Sequence, residues 1–389
     1  MRFTLFYEIP VDESDPLAEY RAYQNVLEEA VAAERAGFYS FMTVEHHFLK
    51  RFSHCSNPEV LYGAVAARTK NLRLGYGVRL MPRPYNHPIR SAESAAVLDL
   101  ISGGRVDFGT GRSATRAELE GFGIDPADTR GMWKEAIEHV VGAWTNEEYA
   151  MNGKYWQSPP RPVIPKPLQL PHPPIYAATT SLSGHEVVGE LGLGLFSFTV
   201  GLPPEQLGEH IAAYRKAQAR CTRPLGSFLN DQACGLTMVN CAPTKAESYE
   251  VARESFEWYP SYSSKLVASV AQWQEEKKAE LGTYDYTRDI LARSREGALD
   301  NVPFSYLKDS GAVLVGDPDQ VIQTCKRYEA AGCDTLICLT NPLKIPHDKV
   351  MQTIELMGKY VIPEFKNHRA PAFQLRLRGE PGARLNPAA

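Results

Sequence analysis

At 389 residues the chain is long enough for one large domain, since a (β/α)8 barrel needs about 250. Hydrophobic residues make up 43% and charged residues 23%, an ordinary balance for a globular protein. A formal charge of -4 and a pI near 6.2 exclude a general attraction to nucleic acid or acidic membranes.

No stretch reads as a spanning helix, and the opening MRFTLFYEIP is too short and polar for a signal peptide. The cysteines (Cys55, Cys221, Cys234, Cys241, Cys325, Cys333, Cys338) contain no C-x-x-C pair. Scattered and odd in number, they read as reduced thiols, and the protein as cytoplasmic.

Short apolar runs alternate with amphipathic segments, the pattern of parallel strands joined by helices. Phe3 to Tyr7 is a strand, and Asp15-Pro16 caps a helix to about Arg35 that Gly37 ends. Tyr39 to Val44 is the second strand, so EHHF sits at its C-terminal end. Pro58 to Thr69 reads as a helix, Leu72 to Met81 as a strand, Ile89 to Ile101 as a helix, and Arg105 to Gly109 as the fourth strand. Arg130 to Trp144 is helical; Asn152 to Pro174 is a proline-rich connection. Ile175 to Ala178 and Leu193 to Phe198 are strands flanking a helix from about Ser183. Helices at Pro204 to Arg220 and Lys245 to Trp258 surround the strand Ala233 to Asn240.

Residues 259–305 interrupt the repeat, being charged, aromatic and without a strand to extend it. Ala312 to Val315 opens the closing section, Asp317-Pro318 caps a helix, and Thr335 to Leu339 is the eighth strand. A last helix runs from about His347 to Tyr360. The expected organisation is one TIM-type barrel over 1–365 and a basic Pro/Gly-containing tail over 366–389, mobile or laid along a partner. A doubly wound sheet is the runner-up, but no glycine fingerprint follows the first strand.

Barrel chemistry sits at the C-terminal ends of strands. There the sequence places Glu45, His46 and His47; Arg79, Arg83 and His87; Gly109 to Ser113, then Arg116 and Arg130; and Thr179 to Glu186. Thr179, Thr180, Ser181 and Ser183 crowd hydroxyls at a helix start, where free N–H groups favour an anion. Arg112 and Arg130 carry the forked donors that suit a phosphate. The plainer alternative is that the hydroxyls are N-caps and the arginines surface ion pairs.

Three readings of the histidines stay open. Metal binding is disfavoured because adjacent residues on an extended chain point opposite ways, and His54 and His87 add no ligand spacing. A packed, hydrogen-bonded pair is the plain alternative. A general acid/base needs only one histidine facing the pocket, with a pKa near 6.5.

VEHHF followed by Asn57-Pro58, the run NLRLGYGVRLMP, GGRVDFGTGR, Phe122-Gly123 ahead of Arg130, and VGDPDQVI together resemble the bacterial luciferase-like flavin-dependent monooxygenases. The likeness is nearest to the catalytic α subunit and covers nearly the whole chain. It implies a (β/α)8 barrel with a mobile lid over 259–305, binding FMNH2 supplied by a separate flavin reductase. Dioxygen, the co-substrate, would add at the flavin C4a to give a (hydro)peroxide that oxygenates a small organic substrate, such as a carbonyl compound.

In that resemblance His46 is the catalytic histidine. The cofactor residues are Gly77 and Val78 (a non-proline cis peptide under the isoalloxazine), Thr110, Gly111, Arg112, Arg130, Thr180, Ser181, Ser183 and Gly184. Gly111 replaces the cysteine of light-emitting members, and Arg79 replaces an apolar residue, altering the expected pocket polarity. The helices carrying Ala64, Ala66, Ala67, Ala92, Ala95 and Ala96 form the family's subunit interface, which implies a homodimer. The alternatives are an F420-dependent hydride-transfer oxidoreductase and a non-catalytic luciferase-type subunit.

Overall fold

The computed structural model describes residues 1–11, 14–298 and 302–380. Eight parallel strands close on themselves: β1 (Arg2–Tyr7), β2 (Ser40–Thr43), β3 (Arg73–Tyr76), β4 (Val106–Gly111), β5 (Ile175–Thr179), β6 (Gly194–Ser197), β7 (Ala233–Cys241) and β8 (Thr335–Leu339). Each pairs with the next, and β8 returns to β1 with Arg2 opposite Thr335. Closure leaves no barrel edge, and strands buried on both faces explain why RFTLFY reads as an apolar run rather than an alternation. The expected barrel is therefore the observed one.

Twelve helices follow the chain among the described residues: α1 (Ala18–Ala36), α2 (Pro58–Arg68), α3 (Pro88–Ser102), α4 (Arg116–Gly121), α5 (Thr129–Thr145), α6 (Leu182–Glu190), α7 (Pro204–Gln218), α8 (Lys245–Lys277), α9 (Tyr286–Arg295), α10 (Phe304–Ser310), α11 (Pro318–Ala330) and α12 (His347–Leu356). None is long and apolar enough to cross a membrane. Their ends follow local chemistry. Gly37, at φ 87°, ends α1 by donating to Ala33 and Glu34 carbonyls, while the Asp317 carboxylate accepts from Gln320 N–H at the start of α11. Asp15 instead accepts from Leu17 N–H at 2.9 Å, one residue ahead of α1.

Two departures from the sequence reading matter for the site. The third strand is broken: Gly77–Val78 is a cis peptide, and the chain resumes as Arg79–Leu80 beside Thr110 and Gly111. Helix α8 does not stop at Trp258 but continues through Pro260 to Lys277. Proline lacks one N–H, yet Phe256, Tyr259, Pro260 and Ser261 are buried against the barrel, and that packing carries the helix onward. Residues 259–298 are thus mostly helical. Leu119, Ile124, Ala271, Trp273, Tyr284 and Leu291 form a second small core that joins α8 and α9 to α4.

The tail corrects an expectation as well. Through residue 380 it lies on its own barrel, at the end where the strands begin. Arg369 pairs with Asp231 and Asp334, and Arg376–Leu377 forms an antiparallel pair with Gln169–Leu170. Residues 381–389 of the expected tail fall outside the described residues. The proline-rich connection likewise contains a hairpin, Tyr149–Asn152 with Gln157–Arg161.

Candidate active site

His46 leaves the end of β2 with its backbone N–H bonded to Cys55 O at 2.9 Å. Its ring lies between two buried carboxylates: Nδ1 is 2.8 Å from Glu118 Oε1, and Nε2 is 3.6 Å from Glu8 Oε2. Glu118 is the third residue of α4, and its backbone N–H is capped by Thr115 Oγ1. It is fully buried, and accepts from Ser113 Oγ at 2.7 Å, Thr115 Oγ1 at 2.7 Å and His47 N–H at 3.0 Å. Burial pushes the acidity of Glu118 toward the neutral form, but His46 and the two hydroxyls outweigh it and hold the pKa below the usual carboxylate value.

The same balance sets the imidazole. Burial would lower its pKa, yet Glu118 first, then Glu8 and Glu45, raise it to about 9. The shift, upward from the unperturbed histidine value of 6.5, favours the imidazolium at neutral pH. Glu8, at the exit of β1, accepts from Tyr259 O–H at 2.8 Å through Oε1, while its buried Oε2 has no hydrogen-bond partner. Burial raises the Glu8 pKa against the lowering effects of His46 and Tyr259.

A cavity of about 810 Å³ opens beside His46. Gly77, Val78, Gly111, Arg112, Arg130, Thr180, Ser181 and Gly184 all line it; Thr110 and Ser183 do not. Successive strand residues face opposite sides, and Thr110 faces α5, donating to Tyr176 O at 2.9 Å and accepting from Trp133 Nε1 at 3.0 Å. Ser183 is exposed at the start of α6, with its hydroxyl 3.4 Å from that of Ser181.

One end of the cavity suits an anion. Ser181 caps α6 by accepting from Gly184 N–H at 3.1 Å, and it brings the helix start toward Arg112 and Arg130. Arg112 donates to Thr283 Oγ1 at 2.7 Å and Thr129 Oγ1 at 3.2 Å, with Tyr284 beneath it. Burial, then the neighbouring Arg112 charge, lowers the Arg130 pKa. Among the described residues neither guanidinium has a carboxylate partner. At the other end Gly77, Val78 and Gly111 line the cavity, and a Cβ on Gly111 would collide with Val78 Cγ2. Paired cations at one end and small residues with the Val78 side chain at the other fit a planar cofactor carrying a phosphate, as FMN does.

Other strand-end candidates have different employment. Arg79 is buried against α2 and α3, paired with Glu59 and 3.9 Å from Glu45, so it does not polarise the cavity as expected. His47 packs on Phe122 and Tyr85 with ring centroids 4.9 and 5.9 Å away. His54 contacts Glu19, His87 caps α3, and Arg116 pairs with Glu120 and Glu276. No cluster of three or more metal-ligating side chains occurs among the described residues. Sequence reading passed over Glu8, Glu118 and Tyr286. The capping signature T-R-A-E at Thr115 to Glu118 could have revealed one of them; nothing local marks the others.

Comparison with known proteins follows this geometry. The profile described as "Luciferase-like monooxygenase" matches residues 1–335. The oxygenase component of a flavin-dependent trigonelline monooxygenase from Acinetobacter baylyi is 32% identical over 219 residues, 56% of this chain and 59% of that one. This chain thus spans less than two thirds of that relative. A 4-hydroxyprotoasukamycin monooxygenase from Streptomyces nodosus subsp. asukaensis is 30% identical over 367 residues, covering 92% of this chain and 89% of that one. In fold, the chain is similar to the oxygenating constituent of Pseudomonas putida 3,6-diketocamphane monooxygenase, a type II Baeyer–Villiger enzyme in complex with FMN. The TM-score is 0.71 at 21% identity, covering 94% of this chain and 98% of that one.

Proposed function

The chain belongs to the luciferase-like monooxygenase family, and from that premise we propose that it is the oxygenase component of a two-component system. It takes FMNH2 from a separate flavin reductase and uses O2 to oxygenate a small organic substrate. Reduced FMN, when bound, supplies the two electrons that activate O2 at its C4a carbon; one oxygen atom enters the substrate, the other leaves as water, and FMN is released oxidised.

The observation that carries this reading is the pair of guanidiniums, Arg112 and Arg130, without a carboxylate partner among the described residues and lining, with the start of α6, the cavity that also holds His46. The arginines and Ser181 hold the phosphate; Gly77, Val78 and Gly111 supply the platform for the ring. His46, an imidazolium with Nδ1 committed to Glu118 and Nε2 3.6 Å from Glu8 Oε2, hands a proton to oxygen and takes it back through Nε2. The likeness to the Acinetobacter protein, the oxygenase component of a flavin-dependent monooxygenase, supports a separate reductase. Exposed Val60, Val97, Leu100 and Ile101 on α2 and α3 support a homodimer through those helices.

The test is to mix the protein with photoreduced FMN, admit O2, and follow flavin reoxidation by stopped-flow absorbance. Saturable FMNH2 binding and reoxidation well slower than that of free FMNH2 are expected. Reoxidation at the free rate, with no FMN binding, would overturn the reading; oxidation of F420H2 instead would assign hydride transfer.

A further inference from the structure

A second cavity of about 1210 Å³ opens from the first and shares Glu8, His46, Ala114, Thr180 and Phe198 with it. It lies beneath α8 and α9, where a molecule inside would sit beside whatever occupies the first. Its body is apolar. Phe52 stacks on Tyr259 with centroids 5.3 Å apart and planes 21° apart, and Phe198 stacks parallel to Phe196 at 6.2 Å. Leu202, Leu236, Val267 and Ile290 complete the walls. Such a chamber takes a ring.

Polar side chains are set into these walls, among them Glu8, His46, Thr180, Thr199 and His210. Glu8 Oε2 and His210 Nδ1 are buried without a hydrogen-bond partner, and both residues line the chamber. Beyond these, Arg293 of α9 contributes a guanidinium that has no ion pair among the described residues, alongside the hydroxyls of Ser263 and Ser264. The charge at the junction is already balanced in part, because the His46 imidazolium is bound to Glu118 with Glu8 close to Nε2. An anionic group would be repelled by Glu8 at that end and attracted by Arg293.

Resting on the flavin-oxygenase reading above, we infer that the substrate is a ring-bearing carboxylate: its ring lies between Phe52 and Phe198, its carboxylate meets Arg293, and its reacting end is turned toward Glu8 and His46. At the reacting end Glu8 and His46, which line both cavities, meet a polar substituent of the ring. Specificity for the acid comes from Arg293 and orientation from the Glu8 side.

Isothermal titration of FMN-loaded and cofactor-free protein with benzoate and its neutral isostere benzamide tests this, alongside FMN affinity by fluorescence quenching. Benzoate should bind about tenfold tighter than benzamide, Arg293→Gln should abolish the difference, and Arg293→Lys should restore part of it. Arg293 is exposed on α9, so these variants should keep the fold and the FMN affinity. Equal affinity for the two probes, binding of neither, or a benzoate preference that survives Arg293→Gln would overturn the inference. FMN binding with no benzoate preference would sink it while leaving the flavin reading standing; absent FMN binding would sink the flavin reading itself.

Discussion

Glu118 reaches His46 from a separate turn of chain and binds its Nδ1 at 2.8 Å, while Nε2 faces the junction of the two cavities. The pair fixes both the orientation of the ring and its charge. Substitution of His46 by Ala should lower turnover by about 100-fold or more, with FMN affinity changed by less than about threefold. Steady-state rates and fluorescence quenching measure the two effects separately; equal, mild losses would remove His46 from its role.

The pH dependence follows from the directions of the shifts. The His46 pKa is raised from 6.5 to about 9, so its contribution to stability is full below 6.5 and is lost as pH rises through about 9. Glu118 is shifted downward from 4.5, so its contribution is present above that value and fades on acidification through its folded pKa. Turnover that needs the imidazolium should therefore fall along an alkaline limb near pH 9. Glu118→Gln should move that limb to lower pH, since it removes the largest raising influence. A pH–rate profile unchanged by this variant would deny Glu118 its effect on His46.

Arg112→Ala and Arg130→Ala should each weaken FMN binding by roughly 10- to 100-fold, with a smaller effect on turnover at saturating flavin. Arg112 should be the worse loss of order as well, because its guanidinium ties Thr283 and Tyr284 to Thr129. Affinity measured by quenching, with salt varied, distinguishes a phosphate contact from a packing defect.

Gly111→Cys introduces a side chain where Val78 already stands. Overpacking there should cost about 1–3 kcal/mol of stability and reduce FMN affinity. Denaturant unfolding and flavin titration of the variant give both quantities.

Ile101→Arg places a charge in the exposed apolar patch shared with Val60, Val97 and Leu100. If α2 and α3 join two copies, sedimentation at micromolar concentration should show a dimer for the parent chain and a monomer for the variant. A monomeric parent would end the dimer proposal.

The barrel was legible because parallel strands buried on both faces leave apolar runs, and because caps such as Asp317 and Gly37 mark helix ends locally. The gathering of Arg112, Arg130 and Ser181 around one cavity was legible because they lie at neighbouring strand ends. Pro260 misled because its local penalty is outweighed by the burial of its neighbours. Thr110 misled because the fourth strand runs to Gly111, two residues past its expected end, which turns that hydroxyl toward Trp133. Arg79 found Glu59 across a helix, a partner 20 positions earlier that no spacing rule identifies. Glu8 could not be read as a site residue, since its importance lies in what approaches it: Tyr259 from α8 and His46 from β2.

Arg369 clasps Asp231 and Asp334, the residues that lead into β7 and β8, at the end of the barrel remote from His46. The molecule thus divides its labour between two mouths, one for chemistry and one for closure. A lesion at the clasp, such as Arg369→Ala, should register in a melting curve and stay silent in a flavin titration. A lesion at Arg130 should do the reverse, so paired assays could assign an uncharacterised substitution to its mouth without a structure of the variant.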